Sequence, residues 1–226
     1  MWFVTNQKLG GSALGLQRLL GLGSYQTAWT WLHKMRRAMV RPARGRLSGC
    51  VEVDETYLGG HEEGVSGRKT ETKSIVAIAT EENGRGIGRI RLRRISDVSA
   101  SSLIPFVREA VQPGSVIHTD GWGGYNDIEA KGYTHKVSNL KRSERLAHEL
   151  MPRVHRVAAL LKRWILGTHQ GSVSDKHLDY YLDEFTFRFN RRHSRARGLL
   201  FYRLLEQAVQ VKPVPYRQFV GQKRRT

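Results

Sequence analysis

Apolar residues fall at Leu14, Leu16, Leu19 and Leu20, and again at Ala28, Trp29, Trp31, Leu32 and Met35, with Gly21-Leu22-Gly23-Ser24 between the two groups. Both groups follow helical spacing, so the chain is expected to begin with two short helices across a tight turn, Ser24 capping the second. From residue 50 the period changes. In "VEVDETYLGG" (51–60), Val51 and Val53 alternate with Glu52 and Asp54, and Gly59-Gly60 closes the run as turn residues do. That is the pattern of a half-buried strand. Strands are also expected at 73–80 ("KSIVAIAT"), 87–95 ("IGRIRLRRI"), 115–121 ("SVIHTDG") and 133–137, with a helix near 99–111 and a short one after Tyr125. The turn "EENGRG" has hairpin chemistry, which makes the second and third strands antiparallel. After 144 the pattern is helical to about 166, and two more amphipathic helices are expected over about 174–190 and 198–210.

Three strands as a meander, then alternating helix and strand, then helices, describe an α/β protein with a mixed five-stranded sheet and flanking helices. The order is that of the ribonuclease H-like fold. The expected organisation is a small helix-turn-helix-like segment at 1–45, a ribonuclease H-like domain at 46–212 and a basic tail at 213–226. The stretch "VRPARGRLSG" (40–49) reads as a basic linker and the end "GQKRRT" as disordered.

Charge narrows the partners. Lys and Arg number 38 against 20 Asp and Glu, a net charge of +18, and such a surface gains from releasing the counterions of a polyanion. Nucleic acid is the favoured partner. The single cysteine, Cys50, excludes a disulfide framework within the chain and a multi-thiolate zinc site. No apolar run reaches the length of a membrane span, so a soluble, intracellular protein is expected. On the second helix, Gln26, Thr27, Thr30, Lys34, Arg36 and Arg37 are groups able to touch phosphates or base edges. A helix-turn-helix reader and an ordinary helical hairpin both fit this segment.

Against this basic background the acids stand out. Asp54 lies mid-strand, and Asp120 lies where "SVIHTDG" gives way to glycine turns. In mixed sheets, neighbouring strand ends bring such residues side by side in a cleft, where carboxylate oxygens hold hard divalent ions. Either aspartate alone is also compatible with a solvated edge or a turn-capping side chain. The phrases "VEVDETYLGG" and "VIHTDGWGGYNDI", whose Asp54 and Asp120 lie 66 residues apart, make a joint pattern. Together with "GLGSYQTAWTWLHKMRRAMVRP" and "LLKRWILGTHQGSVSDKHLDYYLDEFTFRFNRR", it resembles the insertion-sequence transposases of the DDE type with an ISXO-like catalytic domain, over about residues 7–210.

The resemblance implies that Asp54 and Asp120 are the first two metal-binding carboxylates and that a third catalytic position follows about 35 residues on. Most such enzymes have Glu there with Lys or Arg seven residues later. Aligning on "LLKRW" places His155 at the Glu position and Lys162 at the basic one, on one face of a helix. Imidazole favours Mn, Fe or Zn over Mg. The alternative is that His155 faces solvent or DNA. Glu149 is a rival carboxylate, but six residues from His155 it would lie about 240° around a continuous helix. The implied reaction is metal-dependent cleavage of the element's ends and attack of the freed 3′-hydroxyl on target DNA, with two Mg or Mn ions and at least two protomers. Lys162 would hold a phosphate, and Arg163, Arg188, Arg191 and Arg192 are further phosphate contacts, with Arg195 and Arg197 in the same block. Tyr180, Leu182, Phe185, Phe187 and Phe189 are expected to pack a core, and Asp183 and Glu184 to be solvated or paired with the bases, Glu184 also being open to a place in the site. Family members carry a cysteine-rich zinc-binding region ahead of the helices, which this chain lacks, and "MWFVTNQKLGG" reads as the middle of a longer protein. Two alternatives follow: a transposition-inactive DNA-binding remnant that inhibits the full-length enzyme, and a structure-selective nuclease on the same fold.

Overall fold

The computed structural model describes residues 1–7, 9–40, 44–59, 72–138, 147–169 and 173–220. In chain order its elements are α1 (Trp2–Asn6), α2 (Ala13–Leu20), α3 (Tyr25–Ala38), β1 (Cys50–Leu58), β2 (Ser74–Asn83), β3 (Gly86–Ile95), α4 (Ala100–Ala110), β4 (Val116–Thr119), a 3-10 helix (Gly123–Lys131), β5 (Thr134–Val137), α5 (Ala147–Leu150), α6 (Pro152–His169), a 3-10 turn (Asp175–His177), α7 (Leu178–Asn190), α8 (Arg197–Gln210) and α9 (Tyr216–Val220). Contacts divide the chain into two compact units, Met1–Arg44 with Trp164–Thr226, and Gly45–Arg163. Residues from Trp164 onward group with the N-terminal helices instead of continuing the sheet unit to 212.

In the sheet unit the strand order is β3-β2-β1-β4-β5. β2 runs antiparallel to β1 and β3, while β4 runs parallel to β1 and β5. This is the ribonuclease H-like arrangement read from the sequence. Period-two alternation sorts β1 onto two faces. Val51 and Val53 enter a core with Ile117, Leu103, Phe106, Val107 and Tyr125. Glu52 and Asp54 leave by the opposite face, where Glu52 bonds the first turn of α6. The expected linker is more than a linker, because Leu47 is fully buried and exchanges backbone hydrogen bonds with Ala110 and Gln112. The helical stretch expected from 144 is broken: α5 ends at Leu150, and Pro152 opens α6, the position where a missing N–H costs nothing. Residues 144–146 lie outside the described part of the chain.

In the helical unit, the Gly21 break works as a helix stop. Gly21 adopts φ +60, and its N–H and that of Leu22 satisfy the last carbonyls of α2. Ser12 caps α2 by accepting the Gly15 N–H at 3.0 Å. Ser24 holds the N-cap position of α3 without a side-chain cap bond. Leu16, Ala28, Leu32 and Met35 bury against Phe187 and Leu204, whereas Leu14, Leu19, Leu20 and Trp31 are exposed. The expected basic tail contains α9, whose Phe219 is buried, while "GQKRRT", expected to be disordered, lies outside the described residues. Among the described residues no helix is long and apolar enough to cross a membrane.

Candidate active site

The three acids of β1 have three different surroundings. Glu55 accepts a hydrogen bond from the Tyr125 hydroxyl at 2.7 Å. Burial, then the negative charges of Glu55, Asp54 and Asp120, hold the Tyr125 phenol protonated well above its ordinary range. Glu52 is fully buried and engaged with α6. Asp54 is left facing His155, with His155 Nδ1 3.8 Å from Asp54 Oδ2.

Asp120 follows the last residue of β4. β1 and β4 pair in parallel with a constant offset, Cys50 with Val116, Val51 with Ile117 and Glu52 with His118. The pairing ends at Glu52 and His118, two residues before Asp54 and Asp120, and the 66-residue spacing of the two aspartates equals the offset of the paired residues. Asp120 Oδ1 also accepts the Trp122 N–H at 2.9 Å, closing an Asx turn, so the turn-capping role that the sequence left open is present as well. The turn needs its glycine. Gly121 has φ +83, and a Cβ there would lie 2.7 Å from a Val137 methyl.

These side chains fit a divalent cation by their chemistry. Two carboxylates offer hard oxygen and the imidazole a borderline nitrogen. Asp54 and His155 are 17% and 30% exposed, so the group opens to solvent. Among the described residues, the set of three ligand-type side chains with atoms within 4.8 Å of one another is a different one: Glu52, Glu82 and His118. That cluster already contains a cation, the guanidinium of Arg153, 2.9 Å from Glu52 and 3.2 Å from Glu82. Glu149 is exposed on α5, a separate helix, so the angular argument that set it against His155 does not apply. Lys162 and Arg163 are exposed on α6.

The expected DNA contacts of the helical unit divide by burial. Gln26 and Lys34 are exposed, and Thr27 and Arg37 are half-buried. Thr30 and Arg36 correct the expectation. Thr30 is buried with its hydroxyl donating to Gln26 O, and Arg36 is 2% exposed, pairing with Glu184 at 2.7 Å and stacking 4.2 Å above the Tyr181 ring. Arg188 is likewise turned inward, donating to Glu184, Gln7 O and Val4 O. Glu184 is thereby removed from any site: burial opposes its ionisation, but the Arg36 and Arg188 charges hold its carboxyl below the usual range. Arg191 and Arg192 fold back on the end of α7, lying 4.0 and 4.1 Å above Phe187 and Phe189 and donating to those residues' carbonyls. Leu182, Phe185, Phe187 and Phe189 are buried, as expected of a core, and Tyr180 is half-buried.

Sequence reasoning missed Arg153 and Tyr125. The one signal for Arg153 was its place next to Pro152 at the start of a helix, where a buried acid could find free N–H groups.

Comparison with known proteins gives two kinds of likeness. A transposase-like protein of Haemophilus influenzae, itself uncharacterized, is 21% identical over 112 residues, 50% of this chain and 89% of that protein. Two solved structures align weakly: the Mos1 strand transfer complex, with TM-score 0.38 and 12% identity over 92% of this chain and 80% of that one, and the Mos1 mariner paired end complex with Mn, with TM-score 0.28 and 10% identity over 89% and 80%. Residues 46–190, more than half of the chain and including Asp54, Asp120 and His155, match the ISXO2-like transposase domain, and the chain belongs to that family.

Proposed function

We propose that this protein is a DNA transposase that cleaves the ends of an insertion sequence and transfers them to target DNA, with Asp54, Asp120 and His155 holding divalent ions, two of Mg2+ or Mn2+. When bound, such ions supply Lewis acidity and an activated water or hydroxyl. The chain's own residues prepare the place. Asp54 and Asp120 present carboxylate oxygens from adjacent strands. Tyr125, protonated and tied to Glu55, adds no charge beside them. Lys162, exposed two turns along α6 from His155, would hold a phosphate of the DNA end. Gln26, Thr27, Lys34, Arg37 and Arg163 would contact the duplex, with Arg191 and Arg192 at the end of α7. Joining two ends calls for a second copy of the chain.

The observation that carries this reading is the approach of His155 to 3.8 Å from Asp54, on a strand whose parallel pairing with β4 ends two residues before Asp120. The test is strand transfer of a pre-cut oligonucleotide end in Mn2+ or Mg2+. Asp120→Asn keeps an oxygen for the Trp122 N–H but loses the charge, so it should melt like wild type and lose joining by at least about 100-fold, the effect of several kcal/mol of metal-derived stabilisation. Equal joining by the two proteins would sink the assignment, and cleavage of a hybrid or four-way junction without joining would favour the nuclease.

A further inference from the structure

Glu52 has no part in the chemistry proposed above, yet it is a fully buried acid two residues from Asp54. Its Oε2 accepts the N–H groups of Arg153 and Val154, at 2.8 and 2.7 Å, which are first-turn donors that a helix cannot satisfy itself. Its Oε1 pairs with Arg153 Nη1 at 2.9 Å. Arg153 extends the grip, donating from Nη2 to Gly84 O at 2.7 Å and from Nε to Gly86 O at 3.0 Å, across the turn between β2 and β3. The start of α6 is thus fastened to β1 and to the β2–β3 turn together. The next residue after Val154 is His155, facing Asp54.

We propose that Glu52 is a positioning residue: by capping α6 on β1 it sets the distance at which His155 meets Asp54, and so the geometry of the metal-binding group. The closeness of Glu52, Glu82 and His118 does not argue for a second metal centre. Both Glu52 oxygens are committed, and the Arg153 guanidinium already lies against both glutamates. The inference rests on the transposase reading for its consequence, but not for its geometry.

The test is Glu52→Gln in the full chain. The amide matches the carboxylate in shape, yet cannot accept at both positions and carries no charge for Arg153. Three readouts separate positioning from bulk stability: the melting temperature, the place of the His155 ring in a crystal structure of the variant, and Mn2+ affinity measured without DNA. The expected result is a folded protein in which His155 has withdrawn from Asp54 and Mn2+ binds about 10- to 100-fold more weakly, the usual effect of losing a group that orients a metal ligand. Raised Mn2+ should then restore strand transfer, which a general loss of structure would not allow. An unmoved His155 with wild-type Mn2+ affinity overturns the proposal. If Glu52→Gln does not fold, Arg153→Lys, which keeps a charge but loses the forked grip, is read in the same way: a displaced His155 supports the proposal and an undisturbed one defeats it. Should wild type neither bind Mn2+ nor join DNA, the transposase reading fails alone, and the ring position still decides the role of Glu52.

Discussion

At the scale of single residues, most of the surprises are polar groups drawn inside. His33, which no signal in the sequence singled out, is fully buried among Trp29, His177, Tyr180, Tyr181 and Phe219, and among the described residues neither ring nitrogen has a hydrogen-bond partner. Burial, then the nearby Arg36, His177 and His169, lower its pKa to about 3. The folded state therefore refuses a proton that the unfolded chain accepts near pH 6.5. Stability falls as pH drops from 6.5 towards 3, by about 1.4 kcal/mol per pH unit from this residue. His33→Leu should remove that share: in urea titrations at pH 7 and pH 5, the variant's loss between the two should be smaller than wild type's by about 2 kcal/mol. Arg36 makes the same point with opposite chemistry. Sequence gave it a place on a DNA-reading face, since spacing alone cannot tell which cations find a buried partner, and Glu184 lies 148 residues away. Asp54 and Asp120 drew notice in the sequence because each stands in an unusual setting, an acid inside an apolar strand and an acid before a run of glycines.

At the scale of elements, the sheet was readable nearly strand by strand, because alternation and a hairpin turn are local signals. What escaped were features that depend on distant contacts: Leu47 bridging to Val111, and the division of the expected long helix at Leu150. The 3-10 helix at Gly123–Lys131 stands where a short helix was expected, and it begins from the Asx turn at Asp120. That turn depends on Gly121. Gly121→Ala would place a side chain at φ +83 and 2.7 Å from Val137, a cost of about 1–3 kcal/mol. The variant should melt earlier than wild type, and joining should fall with it, because the same turn orients Asp120. A differential scan beside a strand-transfer assay would show both; an unchanged melting temperature would mean that the turn adjusts more easily than this geometry suggests.

At the scale of the whole molecule, the family was legible from long phrases and the charge from a count, whereas the two compact units were not. The amphipathic pattern of residues 152–169 says that one side of that helix is covered, but not by what, so nothing in it marks Arg163 and Trp164 as belonging to different units. The charge of +18 carries its own prediction. Affinity for duplex DNA should fall linearly on a double-logarithmic plot against salt. Lys34→Ala and Lys162→Ala, at exposed cations, should each lower the slope by about 0.9, the share of one phosphate. Arg36→Met should leave the slope unchanged and instead lower stability by about 1.5–3 kcal/mol, because it removes one of the two guanidiniums bonded to the buried Glu184. Fluorescence anisotropy over a salt series separates the two behaviours, and a changed slope for Arg36→Met would return that residue to the DNA surface.

The turn at Asp120 has one more consequence. An asparagine put at that position precedes a residue with no side chain to shield its peptide nitrogen, the neighbourhood in which amides most readily cyclise to succinimide and reopen as acids. A stored preparation of the neutral variant would slowly rebuild the charge it was made to lack, so the age of the sample becomes part of the experiment, and mass spectrometry belongs beside every rate.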